Sequence, residues 1–131
     1  DDRGGNVDKI ARFVCPGRVV CQTPSGPDDP NADILKTVET DLRRGGLDVV
    51  TVPSPGLITD ETGAPLPASH MNFLMSNDHL FLPVFEDNYS ATAISTFEQA
   101  LPDYTIIPLP ARHILSGGGA FHCMTQQVPK V

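Results

Sequence analysis

Tryptophan is absent from this chain of 131 residues, tyrosine occurs twice, and aromatic residues together make up 6%. Its core therefore has to be mainly aliphatic. Positive charge is also short. Nine Lys and Arg stand against 16 Asp and Glu, for a net charge of -7, and no basic run occurs. This argues against nucleic acid as a partner and is compatible with a small cationic ligand. No apolar run approaches the ~20 residues of a membrane-spanning helix, so no membrane partner is expected. The N-terminal DDRGGNVDK has neither a starting Met nor a signal-peptide pattern, which reads as an internal piece of something longer. The cysteines are few and odd in number, Cys15, Cys21 and Cys123, with no C-x-x-C pair. A reduced, cytoplasmic compartment fits better than a disulfide scaffold. Cys15 and Cys21 are expected in the core of a hairpin.

Pro and Gly, by contrast, are generous at 13 and 11, and they punctuate the chain into short elements. Ile10 to Val14 and Arg18 to Gln22 are β-like runs on either side of Cys15-Pro16-Gly17, which predicts a hairpin. After the loop TPSGPDDPN, with Asn31 or Asp33 as cap, Ile34, Leu35, Val38 and Leu42 form one helical face that Gly45-Gly46 ends. Leu47 to Val52 is a predicted strand. Beyond a loop reaching Ser69 the pattern returns. Met71 to Met75 and Leu80 to Phe85 are β-like around the turn Ser76-Asn77-Asp78. Asp87 to Ser90 offer caps for a helix carrying Ala93, Ile94, Phe97 and Leu101, and Tyr104 to Ile107 is a strand ending at Pro108. Arg112 to Ser116 make a short helical turn. Arg12-Phe13-Val14 answers to Asn72-Phe73-Leu74 sixty positions on, and Val52-Pro53 to Ile107-Pro108 fifty-five positions on. The expected architecture is thus α/β, two ββαβ modules: 1–56, a connecting loop 57–69, and 70–131 with a Gly-rich C-terminal segment. Two such units expose sheet edges, so further chain or another subunit is expected to cover them.

The C-terminal stretch SGGGAFHCMTQQ, Ser116 to Gln127, carries the candidate chemistry. It lacks the Lys-Ser/Thr pair of a phosphate-binding loop. A metal site through His113, His122 and Cys123 lacks a ligand pair at zinc spacing. An ordinary buried cysteine behind a glycine turn is the plain reading. A reactive thiol is favoured by its neighbours, because glycines admit a close backbone approach and Thr125, Gln126 and Gln127 are polar. Were Phe121 to Thr125 extended, His122 would point away from Cys123 and could not serve it as a base.

Several segments together carry a resemblance. GGGAFHCMTQQVP is similar to the C-terminal signature GGGxHCxTQQxP of agmatine deiminases and the related bacterial peptidylarginine deiminases, with one residue added. RGGNVDKIARFV resembles their GH(I/V)D-x-x-ARFV segment, and LPASHMNFLMSNDHLFLPVF their LPASYxNFLxxNxxVxVPxF stretch. The resemblance covers nearly the whole chain in order and matches the C-terminal part of much longer proteins.

The resemblance implies a partial pentein-type α/β propeller, with about two of its five modules present. It implies hydrolysis of a guanidinium to a ureido group and ammonia, agmatine giving N-carbamoylputrescine in polyamine metabolism, without metal or organic cofactor. By matching position, Cys123 is the nucleophile, Asp8 grips the guanidinium, Asn72 is a site asparagine, and Gly117, Gly118 and Gly119 line the site. Asn6 stands where the family carries its proton-shuttling histidine, so turnover is expected to be weak. His70, His79 and His113 are candidate substitutes, each more readily an ordinary surface or loop histidine, with His70 the best placed. The alternatives are an impaired fragment acting as a ligand-binding or assembly module, and a deiminase of arginine or peptidyl arginine.

Overall fold

Pro16 and Gly17 turn the chain, with Gly17 at a left-handed φ of 77°, and the flanking runs pair as an antiparallel hairpin, β1 (Ala11–Cys15) with β2 (Arg18–Thr23). The computed structural model, which describes residues 6–86 and 88–130, continues with α1 (Ala32–Arg44) and β3 (Asp48–Pro53). β3 lies parallel to β2, Arg18 opposite Asp48 through Thr23 opposite Pro53, which gives the order β1-β2-β3. The same connectivity follows again. β4 (Leu74–Ser76) and β5 (His79–Val84) pair antiparallel around Asn77, and β6 (Thr105–Pro110) returns parallel to β5 after α2 (Ser90–Ala100). Each unit is a three-stranded mixed sheet with a crossover helix, so the chain is α/β.

The outer strands carry prolines without disturbing the ladder. Thr105 and Ala111 donate their N–H groups to Asp78 and Val84, so by alternation the nitrogens of Pro108 and Pro110 face the open side of β6. Pro53 stands the same way on β3, whose Asp48 and following Ser54 donate to Gly17 and Thr23. This is why β6 runs on to Pro110 rather than ending at Pro108.

One core joins the two units. Val14, Val20 and Val52 from the first pack with Met71, Phe73, Leu80, Leu82, Ala93, Phe97 and Leu101 from the second. Phe97 on α2 meets Phe73 edge-on, ring centres 5.3 Å apart. A second cluster of Ile58, Phe85, Ala111, Leu115 and Ala120 lays the connecting loop beneath the Gly-rich segment. Arg112 fastens it, donating to the carbonyl of Thr59 at 2.8 Å. Among the described residues no helix is long and apolar enough to cross a membrane.

Four local expectations are corrected. Cys21 is fully buried in the central strand, but Cys15 ends the hairpin exposed to solvent, and both are free thiols. Burial, with the charge of Glu39, pushes the Cys21 thiol up to about 11, so it stays protonated. Ile34 on α1 faces solvent at 55% exposure while Leu35 is buried. Met71-Asn72-Phe73 is not strand, because the Met71 and Phe73 carbonyls are taken by the Arg12 side chain at 3.0 and 2.7 Å instead of by a ladder. Asn31 occupies the α1 cap position and Tyr89 that of α2, neither with a side-chain cap bond, and Asp87, another expected cap, lies outside the described residues.

The entry to α1 is organised instead by Asp29, a buried carboxylate. It accepts the N–H groups of Ser25 and Asn31 at 3.2 and 2.9 Å and the hydroxyls of Ser25 and Ser54. Burial alone would raise its pKa, but the Ser54 hydroxyl and the Asn31 and Ser25 N–H groups outweigh it and hold the carboxyl below the usual range. A depressed pKa contributes stability above the unfolded value of 3.8 and loses it as pH falls through the folded one. Asp29→Asn is expected to cost about 1–3 kcal/mol near neutral pH in urea unfolding. That deficit should shrink below about pH 4, as the wild-type carboxylate protonates. A deficit independent of pH would refute this account.

Candidate functional site

Three distant pieces of chain meet at one asparagine. The first is a single 3-10 turn, Val7–Lys9, closed by Ile10 N–H on the Val7 carbonyl, which presents Asp8. The second is the irregular segment around Asn72, held by Arg12 on both flanking carbonyls and by Ser69, whose hydroxyl accepts Met71 N–H at 3.1 Å and donates to the Lys9 carbonyl at 2.6 Å. The third is the 3-10 helix Arg112–Gly117 with the glycines and turn that follow it.

Asn72 is 2% exposed and its whole amide is engaged. Its Oδ1 accepts the N–H groups of Ala120 at 2.8 Å and Cys123 at 3.3 Å, which identifies that atom as oxygen. Its Nδ2 donates to Asp8 Oδ2 and to Cys123 Sγ, both at 3.1 Å. Its carbonyl accepts His122 N–H at 3.3 Å. The Cys123 thiol donates to Asp8 Oδ2 at 3.4 Å. The expected partners Cys123, Asp8 and Asn72 are therefore in mutual contact.

His122 joins them. Residues 121–125 are turned rather than extended, with Thr125 Oγ1 donating back to the Phe121 carbonyl at 2.9 Å. The alternation that would separate His122 from Cys123 does not apply. His122 Nδ1 lies 2.8 Å from Asp8 Oδ2, and an ionised carboxylate only accepts, so Nδ1 carries the proton. Oδ2 thus takes three donors, whereas Oδ1 accepts no hydrogen bond among the described residues. Burial acts to raise the Asp8 pKa. The hydrogen bonds from His122 and Cys123, the His122 charge and the Asn72 bond overcome it, and the carboxyl sits below its ordinary value.

Two cations that the sequence reading left without a role support the site. Arg12 lies over the Phe73 ring at 4.3 Å, and its charge acts on both Asp8 and Cys123 while burial lowers its own pKa. Lys9 is buried and donates through Nζ to the Gly118 carbonyl, pinning the glycine segment. Arg12 sits within the ARFV run, so the sequence carried a pointer to it. For Lys9 there was none, since a lysine beside a candidate site reads as a solvated one.

The remaining candidates lie elsewhere. Asn6 is exposed at the start of the 3-10 turn and makes no side-chain cap bond. His70 is not on the surface but fully buried, between the Pro53 carbonyl at 2.9 Å and Ser90 Oγ at 3.3 Å, with its own N–H on Gln22. It ties the two units together and cannot substitute in the site. His79 pairs with Asp78 at the surface and His113 is exposed. Among the described residues no three His, Cys, Asp or Glu side chains are grouped to hold a metal ion.

The three glycines differ in what they do. Gly118 takes a left-handed φ of 100°. A Cβ at Gly119 would lie 2.5 Å from Cys123 Sγ, whereas one at Gly117 would meet nothing within 4 Å. Gly119→Ala is expected to cost about 1–3 kcal/mol through overpacking, and Gly117→Ala less than about 0.5 kcal/mol. Urea unfolding of the two variants checks this, and equal costs would contradict it.

An α/β chain with a cysteine, a carboxylate and an asparagine locked at a glycine turn defines a thiol site facing an anion. The comparisons with known proteins give its family. The model of the Porphyromonas-type peptidyl-arginine deiminase family matches residues 1–129, and the chain belongs to that family. A Legionella pneumophila protein is 37% identical over 138 residues, covering 99% of this chain and 39% of that protein. Among solved structures, a C. jejuni agmatine deiminase superposes with a TM-score of 0.87 at 26% identity, over 92% of this chain and 38% of its own. An agmatine deiminase of Enterococcus faecalis gives 0.86 at 26% identity, over 95% and 40%. The chain spans about two fifths of the length of these relatives.

Proposed function

We propose that this chain carries the nucleophile-bearing part of a guanidine-hydrolysing enzyme, with agmatine as substrate. The observation that carries the reading is the Asn72 amide, which binds the Cys123 sulfur and the Asp8 carboxylate at once, with Asp8 Oδ1 accepting no hydrogen bond among the described residues. A guanidinium carbon is electron-rich and resists water, so it calls for a strong nucleophile, and a thiolate is the strongest a side chain supplies. Asp8 grips the guanidinium N–H groups through charge-assisted bonds. The Cys123 sulfur attacks the carbon and a C–S bond forms. A proton passes to one nitrogen, the C–N bond breaks and ammonia leaves. Water then adds to the thioether carbon and gives up both its protons, one of them replacing the proton spent on the ammonia, and the C–S bond breaks. The ureido product leaves and the thiolate returns. Gly117, Gly118 and Gly119 admit the substrate beside the sulfur. The chain is read as two modules, 1–56 and 70–131, of a five-module pentein propeller acting in the cytoplasm. The remaining modules, or another subunit, cover the sheet edges and complete the site.

A second reading, a binding or assembly module with impaired turnover, is favoured by Asn6. An amide does not titrate near neutrality, and loss of general acid-base help is worth about 10²–10⁴-fold in rate.

The exposed Cys15 and buried Cys21 give internal references for a labelling test. Cationic 2-chloroacetamidine is expected to alkylate Cys123 at least about tenfold faster than Cys15, with neutral iodoacetamide showing no such preference and Cys21 unmodified by either. Peptide mass mapping reads this out. Equal labelling of Cys123 and Cys15 by the cationic reagent sinks the guanidinium site. Preferential labelling without ammonia release from agmatine leaves the binding-module reading.

A further inference from the structure

We propose that His122 is a positioning residue that makes the cation affinity of this site depend on pH: charged, its imidazole neutralises Asp8 and weakens guanidinium binding, and uncharged, it leaves the carboxylate's full charge to the ligand. The inference rests on the guanidinium reading of the site. It goes beyond that reading by assigning the control of binding to a residue with no part in the bond-making steps.

The geometry gives His122 a fixed place. Its Nδ1 holds Asp8 Oδ2, the oxygen already shared with Asn72 and Cys123, so Oδ1 is the atom left for a ligand. The pair is largely shielded from solvent, with the side chains of His122 and Asp8 29% and 18% exposed, so its Coulomb interaction is only partly screened. Imidazole is the side chain whose charge ordinarily changes between about pH 5 and 8. The other charged or titratable groups meeting here are Cys123 on the same turn, Arg12 from β1 and Lys9 on the Gly118 carbonyl. Arg12 and Lys9 are of types that keep their charge over that range. Asp8 is held ionised across it, and removing the thiol isolates His122 as the varying charge.

Binding and protonation are reciprocal. If protonated His122 weakens a cation at Asp8, the bound cation must lower the pH at which His122 titrates. The test uses the assembled protein, this chain together with the remaining modules that complete its site, carrying Cys123→Ser, which prevents turnover, with agmatine as probe; both its amine and its guanidinium stay charged over the range. Calorimetry should find binding about tenfold weaker near pH 5 than near pH 8. With His122→Gln added, affinity should be flat across that range, whatever its level. NMR titration of the unmutated ring should move its midpoint down by about one pH unit when agmatine is saturating. This arm decides the matter should the glutamine variant fail to fold. Binding that is equally strong at both pH values, or a His122 midpoint that ignores agmatine, overturns the pH control and leaves the guanidinium site intact. No binding at any pH overturns both.

Discussion

The Asn72 carboxamide is the interaction on which the rest of the site depends. An amide has two donors and one oxygen with two lone pairs, and all four capacities are used: two backbone N–H groups on one side, a carboxylate and a sulfur on the other. No other side chain of this size can do both. Aspartate would face the Asp8 carboxylate with a second negative charge. Leucine would leave the buried Ala120 N–H unpaired, at about 1–3 kcal/mol, and strip the Cys123 N–H of its acceptor. The fold reaches this geometry by keeping residues 70–73 out of the sheet. The Met71 and Phe73 carbonyls are given to Arg12 rather than to a neighbouring strand, and a ladder would have fixed the Asn72 side chain by pleat instead of by partner.

The scaffold around that amide is shared between the two ββαβ units. Asp8, Lys9 and Arg12 come from the entrance of the first; Asn72 begins the second; Cys123 follows its last strand. The common core, with Phe73 and Phe97 opposite Val14 and Val52, sets the distance between these pieces. His70 adds a polar tie from the second unit to the end of β3. A site assembled across two units tolerates little relative movement, and both apolar packing and buried hydrogen bonds oppose it.

Much of the frame was legible because its signals are local. Pro16-Gly17, Gly45-Gly46 and Asn77-Asp78 punctuate the chain where the elements end, and the repeated order of hairpin, helix and strand followed from them. What failed was the extrapolation of period. MNFLM alternates like a strand, yet only Leu74 onward pairs, since the chemistry of Arg12 some sixty residues away competes for its carbonyls. Residues 121–125 could be assigned no direction from pattern alone, and the Thr125 hydroxyl turns them back. Cys15 reads like Cys21, but it closes a hairpin at the rim of the sheet. The site residues themselves were within reach of a family resemblance. Their contacts were not, because Asp8 and His122 lie 114 positions apart and only the fold brings them together.

Charge balance explains why so many donors converge on so small a space. A thiolate at Cys123 would stand 3.4 Å from the Asp8 carboxylate. Two like charges about 4 Å apart near a protein surface repel by about 4 kcal/mol at an effective dielectric constant near 20. Something must offset that before the sulfur can act. Asn72 offers one N–H to each partner, His122 one more to the carboxylate, and Arg12 a full charge felt by both. These contacts offset part of the negative charge carried by the pair. They do not remove the excess: Asp8 Oδ1 has no donor among the described residues, so the pair keeps a net negative charge beside Arg12.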